Sequence, residues 1–285
     1  MFVLFARIAN RKFYHEIMTD KNIPVMLITG AASGLGLALA RQAIKTHRVV
    51  VVDVQLDQGQ QVVDELVATG GDAIFVPCDV TSLEQIEQVK KQVLSTYGRL
   101  DVLINNAGVA SQGDLLDSTE HEWERLIDTN LLSVVRMSRT MIPLLSESDQ
   151  ASIVNVASFA ALALMPGMAS YNVVKSAVLA LSETMRCELL TKGIHVSCAC
   201  PAFFQTNLVS SMEGVDETVK SRIGSWMKAS KYTADDVAKM IFNAIKLKEF
   251  MILADKQSRW QYRIARWFPN YFYRQKMSFY RKLKK

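Results

Sequence analysis

Three side chains in the stretch 158–175 have types and spacing suited to acid–base chemistry: Ser158, Tyr171 and Lys175. Tyr171 and Lys175 are four positions apart, which on a helix places them on one face, one turn from each other. A phenol titrates near pH ~10 in water, so it is a poor base at neutral pH. An ammonium beside it favours the phenolate. At ~4 Å and an effective dielectric of ~20 the attraction is roughly 4 kcal/mol, enough to bring the tyrosine toward working pH. General acid–base catalysis is most efficient there. So short a pattern also recurs by chance as a solvated Tyr/Lys pair. The elements that position it decide between these readings.

From residue 25 short apolar runs alternate with helical segments. Val25–Thr29, Val49–Val54, Ala73–Pro77, Val102–Asn105, Ile153–Val156, His195–Ala199 and Phe250–Leu253 read as strands. Leu35–Lys45, Gln58–Ala68, Leu83–Tyr97, Glu120–Leu145, Tyr171–Leu190 and Asp235–Leu247 read as helices, with a less regular segment over 202–233. Wholly apolar strands separated by helices predict a parallel sheet covered on both faces. The expected fold class is α/β: one Rossmann-like domain with a doubly wound, mostly parallel sheet of about seven strands. Its ligands belong at the carboxyl ends of the strands, near the topological switch.

The first strand runs straight into Thr29-Gly30-Ala31-Ala32-Ser33-Gly34-Leu35-Gly36. Glycines at a strand-to-helix turn let backbone N–H groups and a helix N-terminus approach a pyrophosphate. Gly30, Ser33, Gly34, Leu35 and Gly36 are therefore candidate cofactor residues. Asp53 ends the second strand, where an acid accepts hydrogen bonds from an adenosine ribose. A carboxylate there repels a 2′-phosphate, and neither Ser33 nor Val54 supplies a compensating charge. NAD is the expected cofactor, with NADP the less favoured alternative. Asp79 and Val80 follow the third strand; Asp79 could bond the adenine amino group or cap the next helix. Asn106, Ala107 and Gly108 follow the fourth strand and let the chain pass close to a cofactor.

Apolar residues make up 49% and charged residues 21% of the 285, which is ordinary for a globular chain. The charge is uneven. Residues 256–285 hold ten of the 33 Lys/Arg and no acid, leaving 23 basic against 28 acidic residues in 1–255. Four scattered histidines and cysteines without metal spacing argue against a metal site. Cys78, Cys187, Cys198 and Cys200 read as buried thiols of a reducing compartment, so a cytoplasmic location is expected. Residues 1–23 read as an N-terminal extension without the shape of a signal peptide.

Taken together, these features resemble the short-chain dehydrogenase/reductase family. TGAASGLG is similar to its TGxxxGxG loop, and Asn105–Gly108 to its NNAG run. Asn130 in DTNLLSV matches the family's helical asparagine; Ser158, Tyr171 and Lys175 match its Ser and YxxxK. The resemblance spans about residues 24–255. Pro201-Ala202 departs from the family's usual Pro-Gly, while Thr206 matches a threonine placed near the carboxamide. The resemblance implies an enzyme that moves a hydride between a nicotinamide and an alcohol or carbonyl carbon. Tyr171 would exchange the proton, and Lys175 would hold the nicotinamide ribose and lower the tyrosine's pKa. Ser158 would hydrogen-bond the substrate oxygen, and Asn130 would position a water. It also implies a homo-oligomer, dimer or tetramer.

The segment 160–168 and the loop 202–233 should line the substrate side, with Phe203 and Phe204 the named contacts. Neither segment offers a clear anchor for a phosphate or carboxylate; Arg222 and Lys228 are the sole candidates. A hydrophobic small molecule of lipid, steroid or retinoid type is expected. The tail 256–285 mixes cations with Trp, Tyr and Phe, and Pro269 should break its helix. That composition suits peripheral contact with anionic membrane lipid. It suits equally well packing on the body or on a partner subunit. No nucleic acid is expected. Two other readings stay open: an NADPH-dependent carbonyl reductase, and a non-catalytic dinucleotide-binding scaffold.

Overall fold

The computed structural model describes residues 23–202, 204, 212, 217–253 and 256–283. Readings placed on residues 1–22, Phe203 and Thr206, and on the side chains of Arg222 and Lys228, lie outside what it describes.

Seven strands form one sheet: β1 (Val25–Thr29), β2 (Arg48–Asp53), β3 (Ala73–Pro77), β4 (Val102–Asn105), β5 (Ser152–Val156), β6 (His195–Ala199) and β7 (Met251–Ile252). Their order is β3-β2-β1-β4-β5-β6-β7, and every adjacent pair is parallel. The chain reverses its direction of winding between β1 and β4, which opens a crevice at their carboxyl ends.

Helices α1 (Gly34–Ala43), α2 (Leu56–Ala68), α3 (Leu83–Tyr97), α4 (Glu120–Ile127) and α5 (Ser133–Leu145) connect the first five strands. A short α6 (Ala160–Ala163) and the long α7 (Ala169–Glu188) follow β5; α8 (Glu217–Lys228) and α9 (Ala234–Leu247) lie between β6 and β7. Successive strand residues face opposite sides. Met26 and Ile28 bury against Leu39 of α1, Val62 of α2 and Ile241 of α9. Val25 and Leu27 bury against Ile86 of α3, Met141 of α5 and Met185 of α7. These two cores, one on each face, need strands that are apolar throughout, as the sequence has them.

Local signals fix the helix ends. Ser82 accepts from Gln85 N at 3.3 Å to start α3, and Gly98 ends it at φ 70°. Asp79 is not that cap: its carboxylate instead accepts from the Thr81 N–H and hydroxyl at 2.9 and 2.8 Å. The single helix expected over 120–145 is two helices joined by a π-helical turn, Asp128–Leu132. Cys78, Cys198 and Cys200 are buried as expected, whereas Cys187 is exposed on the outer side of α7.

The tail forms two helices, α10 (Lys256–Trp267) and α11 (Pro269–Leu283). Pro269 does end one helix, and it also begins the next. At a first helical position its missing N–H is no loss and its fixed φ is already helical. Both tail helices rest on the body beside α6. No described helix is long and apolar enough to cross a membrane.

Candidate active site

A cavity of about 900 Å³ lies along the carboxyl ends of the strands. Gly30, Ser33, Gly34, Leu35, Asp53, Asp79, Val80, Asn106, Ala107 and Gly108 line one part of it. Ser158, Tyr171, Lys175, Pro201 and Phe204 line the other. Two of the residues singled out from sequence stand behind the lining instead. Gly36 packs α1 onto the glycine loop: a Cβ there would lie 2.0 Å from the Gly30 carbonyl oxygen. Asn130 sits in the π-helical turn, fully buried.

The glycine loop fits an anion. Gly30 and Gly34 adopt φ 64° and 54°, which side-chain-bearing residues resist. Ser33 occupies the cap position of α1 without a side-chain bond to the helix, and the first turn carries no acid. The first N–H groups of α1 thus stay uncapped by that serine at the cavity wall. Asp53 is buried, and its carboxylate accepts from Ala32 N at 2.9 Å and Gln55 N at 3.0 Å. It is thereby held toward the cavity at the end of β2. Among the described lining residues Lys175 is the one cation, and it stands at the opposite end from Asp53.

Thr29 organises the turn after β4, a role the sequence reading left unassigned. Its hydroxyl accepts from Asn106 N and Ala107 N, each at 3.0 Å, and Asn106 Nδ2 donates to Thr29 O at 2.9 Å. Asn130 is bonded both ways to Val109: it accepts from the N–H at 2.9 Å and donates to the carbonyl at 3.0 Å. Gly108 makes that approach possible, since a Cβ would fall 2.4 Å from Asn130 Oδ1 and 3.4 Å from Lys175 Nζ. The Asn130 side chain is therefore a clamp on the 106–110 turn.

Tyr171 and Lys175 occupy the first half of α7, and Ser158 follows β5. The α7 start is pinned by Ser170 Oγ donating to Glu122 at 2.5 Å and by Asn172 Nδ2 donating to Met165 O at 2.7 Å. Tyr171 packs against Ala110, Leu126, Met212 and Met227. Its hydroxyl shares the cavity wall with Ser158, whose own hydroxyl accepts from Ala160 N at 3.1 Å. Lys175 Nζ donates to Val156 O at 3.1 Å and lies 5.8 Å from the Tyr171 ring centre. Here the structure corrects the electrostatic expectation. Burial pushes Tyr171 up to about 12, with the Ser158 hydroxyl pulling the other way. Burial also pulls Lys175 down to about 8, partly offset by the nearby Cys198 and Cys200 thiols. The simple Coulomb argument omitted desolvation, which dominates for two groups this deep. Tyr171 is accordingly a protonated phenol at neutral pH.

A profile of the short chain dehydrogenase family matches residues 24–215. The chain belongs to that family. Relatives of this short chain dehydrogenase include a 3-oxoacyl-[acyl-carrier-protein] reductase of Synechocystis, 32% identical, with 68% of this chain and 80% of that one covered. A ketoacyl reductase, HetN, of Nostoc is 30% identical over 84% of this chain and 81% of its own. Among solved structures, a short chain dehydrogenase/reductase of Burkholderia phymatum in complex with NAD superposes with TM-score 0.79 at 31% identity. It covers 85% of this chain and 92% of that one. A short-chain dehydrogenase of Sphingobium yanoikuyae in complex with NADPH gives TM-score 0.72 at 26% identity, covering 90% and 94%. The dehydrogenase is thus an oxidoreductase of CH–OH or keto groups built on a nicotinamide-nucleotide fold.

One part of its site had no signal in the sequence. Phe279 of α11 lines the cavity, and the Tyr280 hydroxyl donates to Asp114 beside it. No motif or spacing marks a residue that reaches a cavity from a terminal helix. Only the folded path of the tail does so.

Proposed function

We propose that this dehydrogenase transfers a hydride between NAD(H) and the carbonyl or carbinol carbon of an apolar substrate, with Tyr171 as the acid–base group. The observation that carries the reading is one cavity lined by Ser158, Tyr171 and Lys175 beyond β5 and by Asp53 at the end of β2. Gly30–Leu35 and the start of α1 would hold the pyrophosphate, Asp53 the adenosine ribose and Lys175 the nicotinamide ribose. Bound there, the nicotinamide supplies or takes the hydride.

In reduction, Tyr171 donates its proton to the substrate oxygen as negative charge develops on it. Ser158 shares the same oxygen and stabilises that charge. A phenol protonated through neutral pH favours reduction there; oxidation needs the phenolate and gains as pH rises. The near wall of the substrate space is Ala163, Met165 and Met168, faced by Phe204, Met212 and Met227. Thioethers and rings, with no charged anchor on that wall among the described residues, suit a flexible apolar chain. The family names of the relatives make 3-oxoacyl chains the natural first members of a test panel. The same reading has the chain assemble as a dimer or tetramer in the cytoplasm, with Asn130 positioning a water and Pro201 contacting the cofactor.

Asp53 supports NAD(H). A carboxylate within ~4 Å of a 2′-phosphate at a dielectric of ~20 is repelled by roughly 4 kcal/mol, where about 1.4 kcal/mol is tenfold. Steady-state kinetics should show kcat/KM for NADH at least about tenfold above that for NADPH. Asp53→Ser should narrow or invert that ratio by about 10- to 100-fold. Equal use of both nucleotides by the unaltered enzyme would favour the NADPH-linked reading instead.

Phe279 offers a separate check on the substrate wall. Phe279→Ala is expected to raise KM for apolar ketones about 3- to 10-fold while kcat holds. The ring contributes binding area to ground and transition states alike. Unchanged KM across ketones of rising chain length would remove α11 from the substrate site.

A further inference from the structure

The two tail helices meet the substrate end of the cavity and also face outward. On the inner side, Lys276 Nζ donates to Leu164 O at 3.2 Å, and Tyr280 bonds Asp114. Leu164 is a left-handed residue at φ 49°, so its carbonyl is turned toward the tail by a conformation that leucine resists. Phe279 lines the cavity yet is 42% exposed, so the cavity reaches the surface beside α11. On the outer side, Trp260 and Trp267 of α10 are 60% and 66% exposed. Arg263 of α10 and Arg274 of α11 are exposed among them. The loop that receives Tyr280 adds Leu116, 96% exposed.

Exposed tryptophans, a fully exposed leucine and a segment with ten cations and no acid are costly together in water. They match the boundary of a bilayer that carries negative headgroups. Trp rings sit at the headgroup level, Leu enters the acyl region and Arg pairs with phosphate. A second copy of the chain docked through the same face would set the basic tail against another basic tail. Nucleic acid would match the cations and leave Leu116 without a partner.

We propose that α10, α11 and the 114–116 loop dock on an anionic lipid bilayer, setting the cavity mouth at the headgroup–acyl boundary. An apolar substrate then enters from the lipid side. That last step rests on the apolar-substrate reading; the docking does not. The tail's packing on the body and its lipid contact are two sides of the same helices.

The test is sedimentation of the full chain with vesicles of phosphatidylcholine alone and of phosphatidylcholine mixed with phosphatidylglycerol. Binding should be at least about tenfold tighter to the anionic vesicles and should weaken with salt. Arg263→Glu with Arg274→Glu should reduce it more than about tenfold. Trp260→Ser with Trp267→Ser should reduce it about as much. Neither pair should shift the unfolding temperature or the turnover of a water-soluble ketone, since all four side chains are exposed. Unaltered vesicle binding by both variant pairs overturns the proposal. So does equal affinity for neutral vesicles, or tighter binding to an oligonucleotide at the same salt. Tight anionic-vesicle binding without turnover of any ketone supports docking and counts against the catalytic reading, so the two fail separately.

Discussion

Tyr171→Phe is expected to lower kcat about a thousandfold or more and to leave NADH affinity within about twofold of the parent. General acid–base catalysis by one positioned group is worth roughly 10²–10⁴. The substitution removes that group and keeps the ring. The ring holds its packing against Leu126, Met212 and Met227, so the fold and the cavity shape persist. The nucleotide end, from Gly30 to Asp53, does not touch the ring. Fluorescence titration with NADH measures the second quantity and a coupled turnover assay the first. Ser158 is unaltered and can still bond a substrate oxygen, so KM should move little. A variant that retains turnover would place the proton donor elsewhere.

Lys175→Met carries the second large effect, and it has two parts of opposite sign. Turnover should fall about a hundredfold or more through loss of the ribose contact and of the charge beside Tyr171. Stability should rise at neutral pH. Lys175 is buried and its pKa falls from 10.5 to about 8. Its folded value lies below its unfolded value, so the stability it allows is present above about 10.5 and is lost as pH falls through 8. At pH 7 that burial costs up to about 3 kcal/mol. Removing the amine relieves it, while the Val156 carbonyl loses a donor, at about 1–2 kcal/mol. A net gain of about 1–2 kcal/mol at pH 7, gone near pH 10.5, is expected from denaturant unfolding at the two pH values. A less stable variant at pH 7 would mean that the ammonium is well solvated in the fold.

The same two residues show where sequence reasoning stops. Their identity and common helix face follow from spacing, and the cavity that joins them to Asp53 follows from the order of strands and helices. Their electrostatics do not, because a four-residue interval says nothing of how deeply both groups are buried. The strands were legible because a sheet covered on both faces demands apolar runs such as VMLIT and the four valines 49–52. The break in the 120–145 helix was not legible: a π-helical turn leaves the apolar pattern almost unchanged, and only the clamp of Asn130 on Val109 explains its place. The tail was half legible. Composition gave its charge and rings, and Pro269 gave its bend. That Phe279 reaches the cavity depends on how two helices fold back over α6, which no local signal encodes.

The most direct measurement is a single turnover with NADH carrying deuterium at the transferred position, mixed with enzyme and an apolar 3-oxo ester, the product read by mass spectrometry. The account predicts one deuterium on the new carbinol carbon for each NADH oxidised, with none found when Tyr171 is Phe. Oxidation of NADH without label in the alcohol, or label transfer undiminished in the Phe variant, would contradict it.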